Sequence, residues 1–203
     1  MMNSDKRKQR EKIIRGARKA FMMKGFSSTS TTSLAEQLRM SKTTLYNHFP
    51  TKTELLEAVV DNIMEEIEEK CMYIMDQHEL TAMDKIKRFM YLITEHLLTL
   101  DVEVISDIQI HAPHVYEKVV ARKAAIIDKY VINLFNSAVE QGVFRDDLDQ
   151  RIVVDVMIQA LRVLGSPQYL KNSPHTFEMV FQQIFSLVIE GNLRRNGSQW
   201  VGH

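Results

Sequence analysis

Residues 25–56 read GFSSTSTTSLAEQLRMSKTTLYNHFPTKTELL. Their periodicity predicts two short helices joined by a tight turn, then the start of a longer helix. The first runs over about 30–38, with Leu34, Ala35 and Leu38 on an inward face. The second opens at Ser41, whose hydroxyl can accept from the free amides of the first turn. Its inward residues are Leu45 and Phe49, spaced i and i+4. That leaves Lys42, Thr43, Tyr46 and Asn47 facing outward: a cation, a hydroxyl, a phenol and an amide. A short helix that buries two side chains and exposes four hydrogen-bonding groups is suited to a polar partner. Two helices crossing at a turn, the second presenting such a face, form the helix-turn-helix that enters the DNA major groove.

The flanking sequence agrees. From Lys6 to Lys24 the chain reads as an amphipathic helix with Ile13, Ile14, Ala17, Ala20 and Phe21 on one stripe, and Gly25 stands at the position of a C-terminal cap. That helix can cover the inner faces of the next two, giving a three-helix unit. Thr51-Lys52-Thr53-Glu54 is a capping box ahead of Leu55 and Leu56, so a new helix starts there. Lys52 in its first turn opposes the helix dipole, which suits a phosphate better than it suits the fold.

This block resembles the N-terminal segment of the tetracycline-repressor (TetR) family of transcriptional regulators. The matching residues are Ala20-Phe21, Gly25-Phe26, Ser30-Thr31, Leu34-Ala35, Ser41, Thr43, Thr44-Leu45-Tyr46, His48-Phe49 and Lys52. They cover roughly residues 10–56 and, as an ordered set, are specific. One departure stands at the turn, where the family usually has glycine and this chain has Arg39. A left-handed backbone there costs a residue with a side chain about 1 kcal/mol.

Charge is distributed in the same sense. The chain holds 26 basic and 26 acidic residues. Residues 1–54 carry 12 Lys or Arg against 4 Asp or Glu, and residues 55–203 carry 14 against 22, so a head of +8 precedes a body of −8. Such a dipole orients a protein head-down on a polyanion. The plainer alternative is a solvated basic helix, since the stretch from Lys6 to Lys24 supplies nine of the twelve cations.

The remaining 150 or so residues are enough for a domain with its own core. The pattern predicts helices over 52–77, 80–99, 101–111, 113–141, 148–164 and 173–192. Pro113, Gly142 and Gly165-Ser166-Pro167 act as stops, and Ser173-Pro174 as a cap with proline at the first helical position. No stretch alternates with period two for long enough to argue a strand. No apolar run is long enough to span a membrane, and the charged N-terminus is unlike a signal peptide. The single cysteine, Cys71, excludes an internal disulfide framework and fits the cytoplasm. The segment from Asn196 to His203 reads as a frayed tail with Trp200 as its one possible anchor.

The last two helices are apolar over more than half their circumference: Ile152, Val153, Val156, Met157, Ala160, Leu161 and Leu164 on one, Phe177, Met179, Val180, Phe181, Ile184, Phe185, Leu187, Val188 and Ile189 on the other. Either they lie at the centre of the domain or a second face meets a partner. The family resemblance implies a homodimer, built from two such helices per subunit, with Val153, Met157, Leu161, Phe177, Phe181, Phe185 and Val188 in the interface. Two-fold DNA sites ask for the same symmetry.

Enzyme chemistry finds little footing. His111 and His114 are separated by Pro113, which breaks the geometry that would put both rings on one helical face, and no carboxylate or cysteine completes a metal set. His96 shares an apolar face with Ile93 and Leu97, the usual setting of a hydrogen-bonded core histidine. Glycine-rich phosphate loops and nucleophile–base pairs are lacking. No catalytic residue, metal or cofactor is expected. Five methionines, Met64, Met72, Met75, Met83 and Met90, fall in the two helices after the DNA-binding unit, near Phe89, Tyr91 and Ile93. They suit an adaptable apolar pocket lined by Met64, Met72, Phe89, Met90 and Ile93, or equally an ordinary core.

The expectation is therefore an all-α chain: an N-terminal three-helix helix-turn-helix DNA-binding domain, residues 1–51, and a C-terminal helical ligand-sensing and dimerisation domain, residues 52–203. Its function would be that of a one-component repressor released from a palindromic operator by a small hydrophobic ligand. The alternatives are an architectural DNA-binding protein without a regulating ligand, and an all-helical enzyme. Carried over from the family pattern, Thr31, Thr32, Ser41, Lys42, Thr43, Tyr46, Asn47, His48 and Lys52 stand where DNA contacts occur. Thr31, Thr32, Tyr46, His48 and Lys52 suit phosphates; Lys42, Thr43 and Asn47 suit base edges.

Overall fold

The computed structural model describes residues 4–98 and 102–194, with side chains over 5–92 and 104–194. The junction 99–101, the side chains of Ile93, His96 and Leu97, and the tail with Trp200 lie outside the described residues. The described chain is helical: α1 (Ser4–Lys24), α2 (Thr31–Gln37), α3 (Lys42–His48), α4 (Lys52–Asp76), α5 (Ala82–Leu98), α6 (Val102–His111), α7 (Pro113–Ile126), a π-helical segment (Ile127–Ile132), α8 (Asn133–Glu140), α9 (Gln150–Leu164), α10 (Pro167–Lys171) and α11 (Phe177–Asn192). Among the described residues there is no strand, only an isolated antiparallel pairing of Phe144 with Leu193.

The chain divides into two compact units. One takes the chain up to Lys70 together with the stretch ending at Ala124; the other takes Cys71–Thr99 and everything from Ala125 onward. Compactness thus groups α6 and most of α7 with the N-terminal helices, a grouping that the 1–51 and 52–203 division does not contain.

In the first unit the stripe read from the sequence is the buried one: Ile13, Ile14, Ala17, Ala20 and Phe21 are all in the core, with Leu34, Ala35 and Leu38 of α2 and Leu45 and Phe49 of α3. Gly16 is where α1 passes α2, since a Cβ there would run into Leu38. Along α4, Leu55, Leu56, Val59, Val60 and Met64 are buried at helical spacing. Its polar flank pairs with α7: Asp61 accepts from Lys118 at 3.0 Å and Arg122 at 2.9 Å, and Glu57 meets His114 at 3.2 Å. His114 thus has a carboxylate partner at the surface, and no group of three possible metal ligands occurs among the described residues.

In the second unit Phe89, Met90, Val131, Phe135, Phe144, Met157, Leu161 and Phe181 fill the core. Phe181 touches Tyr91, Phe177 and Phe185 with ring centroids 5.5, 6.2 and 5.9 Å away. A reciprocal amide pair, Gln150 with Asn192, is buried and satisfied, Asn192 donating to Gln150 Oε1 at 2.7 Å. Buried amides need that closure, and here it ties the start of α9 to the end of α11.

Three expectations are corrected. Gly165-Ser166-Pro167 ends α9 but also starts α10: Ser166 is an N-cap accepting from the Tyr169 amide, with Pro167 at the first helical position. Consequently α11 begins later than expected, with Thr176 rather than Ser173 as its cap. Third, Met157, Leu161 and Phe181 are fully enclosed within the protomer, so they are core and cannot touch a partner directly. The apolar side chains left outside are Ile152, Val156 and Val163 on α9, and Met179 and Leu187 on α11, with Val153, Phe177, Phe185 and Val188 half-buried beside them. The sequence shows how many apolar residues each helix carries, but not which side another helix has already taken.

Candidate nucleic-acid interface

The helix-turn-helix is built from its caps inward. Ser30 accepts from the Ser33 amide at 3.1 Å and opens α2; Ser41 accepts from the Thr44 amide at 3.0 Å and opens α3. Each satisfies an amide that helix geometry leaves unpaired. The turn between them is closed by two backbone bonds, Arg39 to the Glu36 carbonyl and Met40 to the Ala35 carbonyl, each 3.0 Å. Those bonds define a Schellman cap and put the residue after the cap in the left-handed region. Arg39 occupies it with φ +54°, so the family's usual glycine position keeps its conformation without glycine. Lys12 of α1 donates to the Leu38 carbonyl at 2.9 Å and holds the turn from beneath.

This frame presents a polar face. Ser41, Lys42, Thr43, Tyr46 and Asn47 are exposed, while Leu45 and Phe49 behind them are buried. Thr31 and Thr32 lie on the first turn of α2, Thr32 exposed and Thr31 half-buried. The α3 face agrees residue by residue with the sequence expectation.

The ends of the face are less free than the sequence suggested. His48 Nε2 lies 3.1 Å from Gln9 Oε1 of α1, and Arg10 stacks over the Phe49 ring at 4.7 Å. Burial, then the charges of Lys6 and Arg10, hold the His48 pKa below its ordinary value, so the ring is neutral at pH 7. A neutral ring whose Nε2–H donates to Gln9 has only an acceptor left, and phosphate requires a donor. Lys52 is also engaged. Its ammonium donates to the Ser27 carbonyl at 3.2 Å and lies 4.4 Å over the Phe26 ring. Burial pushes its pKa down, and the charge of Asp107 partly restores it. Sequence reasoning missed Gln9, Arg10 and Asp107, because pairings between distant segments leave no local signal.

The expected pocket residues fall in both compact units, and the side chain of Ile93 lies outside the described residues. Phe89 and Met90 are fully buried in the second unit, Phe89 stacked 6.0 Å from Tyr130 of the π-helical segment. Met64 is buried in the first unit. Met72 is exposed. A cavity of about 600 Å³ beside α10 is lined by Val163, Tyr169, Pro174 and neighbours. A cleft of about 710 Å³ is lined by Arg7, Arg10, His48, Glu57, Asp61 and others. Neither includes Met64, Met72, Phe89 or Met90.

A capped pair of short helices with a polar outer face, on a basic head and in an all-helical chain, defines a helix-turn-helix transcriptional regulator. Residues 13–59 match the family model described as bacterial regulatory proteins, tetR family. An uncharacterised HTH-type transcriptional regulator of Bacillus subtilis, YvaF, is 23% identical over 89% of this chain and 94% of its own length. Among solved structures, the ketosteroid transcriptional regulator KstR2 of Mycobacterium tuberculosis superposes with a TM-score of 0.64 at 18% identity, covering 96% of this chain and 98% of that one. AibR, solved in complex with isovaleryl coenzyme A and operator DNA, superposes with a TM-score of 0.63 at 19% identity, covering 88% and 97%.

Proposed function

We propose that this regulator is a homodimeric repressor that leaves a palindromic operator when its body, residues 52–203, takes up a small hydrophobic ligand, and that residues 1–51 make the DNA contacts. The observation that carries the DNA half is the α3 face: Lys42, Thr43, Tyr46 and Asn47 exposed together on a helix whose other side is core. Lysine suits guanine acceptors, asparagine suits adenine and a threonine methyl suits thymine, so Lys42, Asn47 and Thr43 read bases. Thr31, Thr32, Tyr46 and Lys52 hold phosphates, and His48 joins them once its ring is protonated. A dimer is supported by the exposed apolar residues on α9 and α11, which a lone soluble chain has no reason to leave in water.

Ligand sensing by such a fold is supported by AibR, solved in complex with isovaleryl coenzyme A and operator DNA. The buried Phe89–Tyr130 stack is the place where an apolar ligand would displace aromatic packing. π-helical turns frequently mark functional sites, and Tyr130 lies in one. Among the described residues no helix is long and apolar enough to cross a membrane, which fits action on cytoplasmic DNA. Members of this family act as DNA-binding proteins and generally not as enzymes. The test is calorimetry. A hydrophobic ligand found by thermal shift is titrated with and without saturating DNA from upstream of the regulator's own gene. Linkage requires DNA to weaken the ligand by the factor by which ligand weakens DNA, about one to two decades for a typical coupling. Equal ligand affinities would leave the chain as a DNA-binding protein that its ligand does not regulate.

A further inference from the structure

Asp107 of α6 belongs to none of the roles above, yet it is the most heavily engaged acid near the reader. Its carboxylate is 15% exposed, and Oδ1 lies 3.0 Å from His111 Nδ1. Oδ2 accepts from the Ser27 amide at 2.8 Å. Burial pushes the carboxyl up, but hydrogen bonds from Ser27 and Phe26 and the charge of His111 outweigh it and hold the group below the ordinary aspartate range. Gly25 makes room: its φ is +84°, and a Cβ there would stand 3.0 Å from Oδ2. Ser27 is gripped from the other side as well, its carbonyl accepting the Lys52 ammonium at 3.2 Å. Asp107 and Lys52 therefore meet through the two backbone groups of one residue.

We propose that Asp107 is a positioning residue for DNA binding: by holding Ser27 it fixes the α1–α2 turn in the form that seats the Lys52 ammonium at the start of α4. The proposal rests on reading Lys52 as a phosphate contact. A lysine free to sweep through its rotamers gives up that freedom when it grips a phosphate, and a seated one gives up less. Charge alone predicts the opposite. An acid near a polyanion repels it, so its removal would strengthen binding if repulsion were all it did.

The probe is a mixed-sequence DNA duplex, because phosphate contacts ignore sequence. Affinity is measured by anisotropy across a salt series for the full chain, Asp107→Ala, Asp107→Asn, Lys52→Ala and the Asp107→Ala/Lys52→Ala double variant. Asp107→Ala is expected to bind about fivefold more weakly, the net worth of one hydrogen bond. Asp107→Asn keeps an oxygen for the Ser27 amide and stays within about twofold. Lys52→Ala weakens binding and lowers the salt slope by about one. In the Lys52→Ala background, Asp107→Ala changes nothing further. Unchanged or tighter binding by Asp107→Ala overturns the proposal, as does Asp107→Asn as weak as Asp107→Ala. A loss that persists at full size without Lys52 shows general loosening and overturns it too. If Lys52→Ala leaves affinity and salt slope untouched, the phosphate reading of Lys52 fails, and the relay with it, in a pattern distinct from the others.

Discussion

The phenol oxygen of Tyr46 lies 3.1 Å from the hydroxyl of Thr31, so the outer faces of α2 and α3 share a hydrogen bond on the exposed side of the reader. The pair couples the first turn of α2 to the third residue from the end of α3, and it shares the exposed face with Lys42, Thr43 and Asn47, the residues proposed to read bases. Either oxygen can turn its proton outward to a phosphate while accepting from the other.

That arrangement separates two kinds of substitution. Tyr46→Phe is expected to weaken binding to all DNA sequences about equally, by roughly the 0.5–1.5 kcal/mol of a hydrogen bond. Lys42→Ala or Asn47→Ala should cost about 1–3 kcal/mol on the native upstream site and relax preference at particular base pairs. Anisotropy against the native site and single-base variants distinguishes them. If all three substitutions leave affinity unchanged, α3 is not the reader.

Arg39 offers a test of the turn. It is exposed and holds φ +54°, a region where a side chain is strained. Arg39→Gly relieves about 1 kcal/mol of strain and gives some of it back as unfolded-chain entropy, so a net gain of about 0.5 kcal/mol is expected in urea unfolding. A loss of stability would mean that the arginine side chain contributes more than its backbone costs.

Much of this head was legible because its signals are local. Ser30, Ser41 and Thr51 cap the helices that follow them, Gly25 ends α1, and the i, i+4 spacing of Leu45 and Phe49 selects the exposed side of α3. What escaped was set by partners far along the chain. His48 reads as a free surface ring until Gln9, 39 residues away, is placed against it. Phe181 reads as an interface residue until Tyr91, Phe177 and Phe185 are seen around it. Thr176 lost to Ser173-Pro174 as a helix start because both are reasonable caps, and only packing decides between them.

The corrected outer face gives a sharper test of assembly than the buried phenylalanines. Leu187 is 76% exposed, Ile152 61% and Val156 56%. If that face meets a second copy, Leu187→Glu or Val156→Glu buries a carboxylate at a cost of several kcal/mol and yields a monomer with unchanged helicity. Phe181→Ala, by contrast, should cost about 3–5 kcal/mol of protomer stability through a core cavity. Light scattering reads the first and chemical denaturation the second. A wild-type chain that runs as a monomer, or a Leu187→Glu/Val156→Glu double variant that stays dimeric, removes this face from the assembly.

If His48 touches a phosphate, DNA binding is expected to depend on pH. Burial and the Lys6 and Arg10 cations hold its free pKa below the ordinary value of 6.5. A neighbouring phosphate would favour the charged ring and raise the pKa in the complex. The group then carries more protons bound than free, so affinity must rise as pH falls. The contribution is complete below the free pKa, itself under 6.5, and is lost as pH climbs through the pKa of the complex. Protonation also gives the ring a second donor, so it can hold Gln9 and a phosphate together, which the neutral ring cannot. The measurement is anisotropy against one duplex at constant ionic strength from about pH 5.5 to 8, spanning the histidine range. His48→Gln keeps a hydrogen-bonding side chain and should flatten the profile without abolishing binding. A wild-type profile already flat over that range would mean that His48 stays neutral in the complex and touches no phosphate.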